Sequence, residues 1–466
     1  MRVQFLGAVR QVTGSRYYLE GAGARVYVDY GMFQERDYLD RNWQSIGPPA
    51  PTLDAVVLTH AHLDHSGLLP RLVREGFRGR IITTAPSAEV VELILYDSAQ
   101  IQSEDVAFKK KRHRKEGRAG PHPEIPLYTA RDVERTLAHL QPIPYDEPYP
   151  INDHLQVTLH DAGHILGSAI AEFHLRDRGR LRRVVFSGDL GQWDTPILRD
   201  PTTMPEADYV IMESTYGDRD HAQDGGVRIQ LETIIRETVA AGGNVVIPVF
   251  AVERAQELIY HLGRLYHAGR LPDVPVFLDS PMAIDVTELF RRHSECFDAE
   301  MQQLLRSGQT PLRFPTLAMA RTTEESKRIN DLGRPAVIMA TSGMCTAGRI
   351  KHHLTHNVSR PESTILFVGY QVRGTLGRQI LDGNPHVRIH GRNWLVRARV
   401  AQIHGFSGHA DRSGLLRWLA GFKTAPQCLL LTHGEAEESL SLADHVRSRM
   451  GWNVVVPQYQ HVLELR

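Results

Sequence analysis

Short apolar runs that break off abruptly at histidine, aspartate or glycine set the tightest limit on how this chain can fold. The run "AVVL" (55–58) leads straight into "THAHLDHS" (59–66), where three histidines and an aspartate fill six positions. The same form recurs in "RVQFLG" (2–7), "RVYVDYG" (25–31), "RIITT" (80–84), "LQVTLHDAG" (155–163), "AIAEFHL" (169–175) and "RRVVFSGD" (182–189). β-branched and aromatic runs bounded by turn residues read as strands. Helical patterns over 66–75 and 86–105 lie between some of them, so the expected class is α/β. Polar residues are thereby set at strand ends, where several can meet.

From about 216 the rhythm lengthens. "GGVRIQLETIIRETVAAGG" (225–243) reads as an amphipathic helix closed by glycines, followed by the buried strand "NVVIPVF". "VPVFLDS", "PAVIMATSG" and "STILFVGY" are further strands of the parallel, doubly buried type. After about 395 the short-strand pattern returns in "VRARVAQIHGFSGHAD", "CLLLTHGE" and "NVVVPQ". A chain of 466 residues exceeds one ordinary core. The expected organisation is a first domain over 1–215, a parallel-sheet insertion over 216–394, and a return to the first domain over 395–466.

Composition excludes some classes. No apolar run reaches the length of a membrane span. The N-terminus reads as a first strand, not as a signal peptide. Cys296, Cys345 and Cys428 are far apart and show no pairing motif, as expected of a protein of a reducing cytoplasm. Lys+Arg and Asp+Glu are 54 each, so net charge names no partner. One run, "KKKRHRKEGR" (109–118), is strongly basic and reads as a solvated helix end or a polyanion-attracting edge.

In an extended segment, residues two apart point the same way, so His60 and His62 can aim at one point. Asp64 and His65 follow at the start of a helix, where Asp64 could also serve as N-cap. Two imidazoles with a carboxylate–imidazole pair beside them suit adjacent zinc ions. His164, with glycines nearby that would leave room for an ion, Asp189 and His433 stand at other strand ends. Each has an ordinary alternative: a turn histidine, a loop cap and a half-buried histidine. Taken together they complete two metal spheres.

In that order, Asp29, His60-Ala-His62-Leu-Asp64-His65, His164 and Asp189 resemble the motifs of the metallo-β-lactamase fold. "MESTYG" (212–217), "GFSGHAD" (405–411) and "LTHGE" (431–435) resemble the further motifs of its β-CASP branch, at Glu213, His409 and His433. "IPVFAVERAQELIYHL", "ATSGMCTAGRIKHHL" and "FVGYQVRGTLGRQIL" look like the β-CASP insertion. The resemblance covers essentially the whole chain and is greatest to bacterial stand-alone ribonucleases related to the pre-mRNA 3′-end cleavage endonuclease. It implies an αββα sandwich with an inserted parallel-sheet α/β domain, and two Zn²⁺ per chain. One zinc would take His60, His62 and His164, the other Asp64, His65 and His433, with Asp189 between them. Asp64, His409 and Glu213 would be catalytic. His409 would act as general acid held by Glu213, and Asp29 would orient a liganding histidine.

A cleft between two domains would admit single-stranded RNA more easily than a duplex. Ser407, Thr341, Ser342 and Arg373 are candidate phosphate contacts. Three other readings compete: a DNA-directed nuclease, a small-molecule hydrolase of the same fold, and a scaffold that has lost its metals. "ESTYG" and "FSGHAD" weigh against the small-molecule hydrolase, His433 against DNA, and the full ligand set against the scaffold. Cutting direction, sequence preference and oligomeric state, a homodimer included, stay open.

Overall fold

The computed structural model describes residues 1–117, 122–177, 180–221 and 226–465. Arg118, the last residue of the basic run, lies outside them. The chain forms two compact units: 1–194, 199–220 and 409–466 make one, and 195–198 and 221–408 the other.

The first unit is built on two seven-stranded sheets. In one, Val462–Glu464, Arg2–Phe5, Tyr17–Gly21 and Ala24–Val28 run antiparallel. Ala55–Val57, Arg80–Thr84 and Leu140–Ile143 then continue the sheet in parallel. The other sheet has the same plan. Tyr149–Asn152, Leu155–Asp161, Ala169–Asp177 and Arg180–Phe186 are antiparallel, and Tyr209–Glu213, Cys428–Thr432 and Val454–Val455 extend it in parallel. Alternate side chains of both sheets share one core: Val26, Val28, Ala55 and Val57 meet Val157, Phe173, Val184, Phe186 and Ile211. Strand residues of opposite parity, Val185, Val210, Met212 and Leu431, pack outward against helices Arg412–Leu419 and Ala436–Met450. Helix Ala85–Glu116 covers the far side of the first sheet, against Arg80–Thr84 and Leu140–Ile143. Helix, sheet, sheet and helix make the αββα sandwich expected from the sequence.

Two short helices, Leu63–Ser66 and Leu69–Arg74, occupy the span read as one helix. Helix Ala85–Glu116 runs well past the expected 105, so Lys109 to Lys115, all but His113 exposed, form its C-terminal end, where cations complement the helix dipole.

The second unit has a six-stranded sheet, wholly parallel, in the order Leu317–Met319, Val276–Asp279, Val337–Ala340, Val245–Pro248, Thr364–Phe367, Arg399–Gln402. The insertion was expected to close at 394. Arg399–Gln402 instead pairs along Thr364–Phe367, so this unit extends to Gly408. The alternating "RVAQ" suits any sheet edge, and its partner strand decides where it belongs. The segment Thr195–Leu198 joins the same unit through a Leu198–Phe297 bridge and an Asp298 N–H donated to the Ile197 carbonyl at 2.9 Å. No described helix is long and apolar enough to cross a membrane.

Close backbone contacts hold the motif loops of the first unit. A Cβ on Gly31 would lie 1.6 Å from the Asp64 carbonyl oxygen. Gly31→Ala must therefore push the "HAHLDH" segment aside. Overpacking of this kind costs about 1–3 kcal/mol, and a lowered urea midpoint at unchanged m-value is the expected result.

Candidate metal centre

Every candidate ligand sits at the end of a strand or in the loop that leaves it. His60, His62, Asp64 and His65 follow Ala55–Val57, and Asp29 follows Ala24–Val28. Asp189 follows Arg180–Phe186, Glu213 ends Tyr209–Glu213, and His433 follows Cys428–Thr432. His164 stands in the turn between Leu155–Asp161 and Ala169–Asp177. Open α/β sheets put ligand sites beyond the carboxyl ends of parallel strands, where the connections part. Both sheets change from antiparallel to parallel beside these ends, so one edge of the sandwich gathers all of the loops.

The side chains converge. His60, His62, His164 and Asp189 present nitrogen or oxygen atoms within 4.8 Å of one another, as do Asp64, His65 and His433. His60 Nε2 and His164 Nε2 stand 3.2 and 3.3 Å from His62 Nδ1. His65 Nε2 is 3.2 Å from His433 Nε2, which lies 3.5 Å from Asp64 Oδ2. Asp189 divides its carboxylate between the groups. Its Oδ2 is 3.4 Å from His60 Nε2 and 3.6 Å from His164 Nε2, while its Oδ1 is 3.3 Å from His65 Nε2 and 3.5 Å from His433 Nδ1. Asp189 is 2% exposed, and Oδ1 has no hydrogen-bond partner. Buried polar atoms are normally satisfied. Imidazole nitrogens and carboxylate oxygens converging without enough protons to join them are a donor set for divalent cations.

Electrostatics favours the ligating protonation states of His60, His62 and Asp189. Burial, then the charge of neighbouring His65, pushes His60 well below its ordinary value, and burial takes His62 down to about 4. Burial would raise the Asp189 carboxyl, but the charges of His433, His65 and His60 outweigh it and hold it well below the usual range. His65 goes the other way: Asp189 and Asp29 overcome burial and raise it well above. Neutral imidazoles and ionised carboxylates are what a metal requires.

Asp29 sits in a left-handed conformation, φ 57°. Its Oδ1 accepts the Thr59 N–H at 2.8 Å and its Oδ2 faces His65 Nδ1 at 2.7 Å, which leaves Nε2 directed at the cluster. Asp64 caps no helix; His62 holds the N-cap position of Leu63–Ser66. The glycines beside His164 are needed for packing. A Cβ on Gly163 would lie 2.5 Å from the Arg199 carbonyl, and one on Gly167 2.4 Å from the Ser87 nitrogen.

His409 approaches the same cluster from the loop before helix Arg412–Leu419. Its Nδ1 is 3.2 Å from Glu213 Oε1 and 3.9 Å from Asp189 Oδ2. Glu213 Oε1 also accepts the Leu190 N–H at 2.6 Å, which fixes the carboxylate. Burial would lower the His409 imidazole, but Glu213, then Asp189 and Asp64, hold it up to about 9. Asp189, His409 and His433 also form a third close group.

Two residues were missed in the sequence. The Thr59 hydroxyl touches both Asp29 oxygens and lies 3.1 Å from His60 Nδ1. The Thr215 hydroxyl lies 3.0 Å from His433 Nδ1 and donates to the His433 carbonyl. "LTH" at 58–60, repeated at 431–433, was the available signal for the first; "ESTYG" held the second. Ser407, Thr341, Ser342 and Arg373 belong to the second unit. There Thr341 Oγ1 donates to Ser280 Oγ at 3.0 Å, the Ser342 hydroxyl accepts the Thr346 N–H at 3.1 Å, and Arg373 is exposed.

A buried His/Asp cluster at the shared edge of an αββα sandwich defines a metal-binding hydrolase of metallo-β-lactamase fold. Residues 10–223 match the metallo-beta-lactamase superfamily, residues 255–380 the Beta-Casp domain, and residues 395–457 the Zn-dependent metallo-hydrolase RNA specificity domain. The chain is 40% identical to Ribonuclease TTHA0252 of Thermus thermophilus over 95% of each chain. It is 34% identical to transcription termination factor FttA of Methanocaldococcus jannaschii, over 98% of this chain and 70% of that protein. A solved structure of a protein of unknown function from Enterococcus faecalis V583 shares the fold, with TM-score 0.56 and 12% identity over 99% of each chain. The chain belongs to the β-CASP family of the metallo-β-lactamase superfamily.

Loss of a carboxylate that orients a liganding histidine typically weakens metal binding about 10–100-fold. Asp29→Asn should lower metal affinity by that factor in a chelator-competition titration. Unchanged affinity would show that the contact to His65 does not orient the ring.

Proposed function

We propose that this protein is a metal-dependent nuclease, specifically a zinc-dependent ribonuclease that hydrolyses phosphodiester bonds of single-stranded RNA. The carrying observation is the divided Asp189 carboxylate, whose two oxygens face two separate nitrogen sets beside the His409–Glu213 pair. The ribonuclease relative and the match to an RNA specificity domain support RNA as the substrate. A single strand is favoured because His60, at 0% exposure, and Asp189 are buried, and a flexible strand can bend a phosphate towards them more easily than a stacked duplex.

His60, His62 and His164 would hold one zinc ion, Asp64, His65 and His433 the other, with Asp189 shared. Such a pair supplies Lewis-acid stabilisation of phosphate charge and lowers the pKa of water from ~15.7 towards ~7. The chain's own residues do the rest. Asp29 and Thr59 fix His65 and His60, and Thr215 fixes His433. A ribose 3′-oxygen is a poor leaving group and needs a proton. His409 would carry that proton on Nε2 while Glu213 receives Nδ1–H, and the Glu213 charge favours the imidazolium.

Elemental analysis of protein purified without chelator should find about two zinc ions per chain. Chelation should abolish cleavage of labelled single-stranded RNA, and zinc should restore it. DNA of the same sequence, assayed alongside, tests the choice of substrate. Active protein with one zinc or none would overturn the two-metal assignment.

His409→Ala should retain both zinc ions and lose about 10²–10⁴ in rate on RNA. The loss should shrink on a nitrophenyl phosphodiester, whose leaving group needs no proton. Glu213→Gln should show the same pattern more mildly. Zinc lost from the His409 variant would make His409 a ligand instead, as its place beside Asp189 and His433 allows.

A further inference from the structure

A chain with balanced charge overall carries a strongly one-sided stretch in its second unit. Between Asp331 and Asp411 the only carboxylates are Glu362 and Asp382. Each already pairs with an arginine, Glu362 with Arg360 and Asp382 with Arg378, both at 2.8 Å. Lys351, Arg388 and Arg392 have no carboxylate partner among the described residues.

The fold fixes where these cations stand. His386–Ile389 and Arg392–Leu395 form an antiparallel hairpin in which Arg388 lies opposite Asn393 and Arg392 opposite Ile389, so the two arginines leave from different faces beside the turn. Its two-residue turn has His390 at φ 49° and Gly391 at φ 80°, the conformation that matches strand twist. Val387 and Ile389 anchor the hairpin in the core, leaving His386, Arg388, His390 and Arg392 exposed. Helix Ile350–Asn357 buries Ile350, His353, Leu354 and Asn357 and exposes His352 and His356. The His352 and His390 rings stack at 4.6 Å, joining the hairpin tip to the helix. Burial, then the positive neighbours His390, His353, His356 and Lys351, hold His352 below its ordinary value. Cations left without counter-charges on a rigid hairpin and helix are a poor arrangement for stability and a good one for a polyanion.

We propose that Lys351, His352, Arg388, His390 and Arg392 form a second contact site for the substrate strand, gripping phosphates of single-stranded RNA outside the bond that is cut. The inference rests on the RNA reading above. Phosphate contacts position a strand without reading its sequence, so the site should raise affinity for long RNA and leave the chemical step alone.

Cleavage of a long single-stranded RNA and of a short oligonucleotide should be compared for the wild type, R388E/R392E, R388K/R392K and K110E/K111E. R388E/R392E should raise KM for the long RNA about tenfold or more, with kcat, the short substrate and thermal stability unchanged. Two lost phosphate contacts should reduce the slope of log affinity against log salt by about 1.4. R388K/R392K should keep both properties, since charge is what counts. An unchanged KM and salt slope in R388E/R392E would overturn the site while leaving the nuclease reading intact. Equal weakening by K110E/K111E, on the exposed helix end of the first unit, would also overturn it, because net charge alone would then explain the effect. A wild type that cuts no RNA would instead overturn the function proposed above.

Discussion

The first unit depends on one carboxylate. Asp189 is buried, ionised and short of hydrogen bonds, with its two oxygens turned towards different sets of imidazoles. A charge in that position is costly unless it is compensated. The nearest compensation comes from the histidines, of which His60 and His65 share one strand end while His164 and His433 come from two other loops. Packing of the two sheets and of the loops beyond them therefore decides whether the carboxylate is tolerable. Gly31 and Gly191 show how close those loops come: a Cβ on Gly191 would lie 1.8 Å from the Gly163 carbonyl. The loops are held by backbone pressed on backbone, which leaves the side chains free for the cluster.

The sheet pattern explains why the cluster lies at an edge. Each sheet of the first unit is antiparallel on one side and parallel on the other, and the ligand loops leave strands where that change occurs. Parallel neighbours send their carboxyl ends in one direction, so loops remote in sequence arrive side by side. Glu213 and His409, for instance, meet across a sequence separation of 196 residues.

Much of this could be read in the sequence, for local reasons. "HAHLDH" concentrates its chemistry in one loop, and His164, Asp189 and His433 each follow a recognisable apolar run, so the strand reading was enough to nominate them. The pairing of Glu213 with His409 was not legible from residue patterns, and only the family resemblance suggested it. Thr59 and Thr215 look like ordinary strand-end threonines until the fold sets them against imidazoles. The packing around the glycines beside His164 was not legible, because sequence cannot say what approaches a missing Cβ. Arg399–Gln402 went to the other unit because an alternating four-residue strand carries no address of its own. The unexpected length of helix Ala85–Glu116 has a similar origin: its second half is nearly all polar and exposed, so no apolar stripe marks it.

The distance along the chain between His65 and His433 also bears on how the protein is made. These rings face each other across a separation of 368 residues. At about 5–20 residues per second, a ribosome needs on the order of 20–70 s to travel from one to the other. Once Asp189 has been made, the growing polypeptide holds six of the seven proposed ligands and lacks only His433, which follows the strand Cys428–Thr432. The His65–His433 contact and the Glu213–His409 pair are thereby both left incomplete until the ribosome has passed positions 409 and 433.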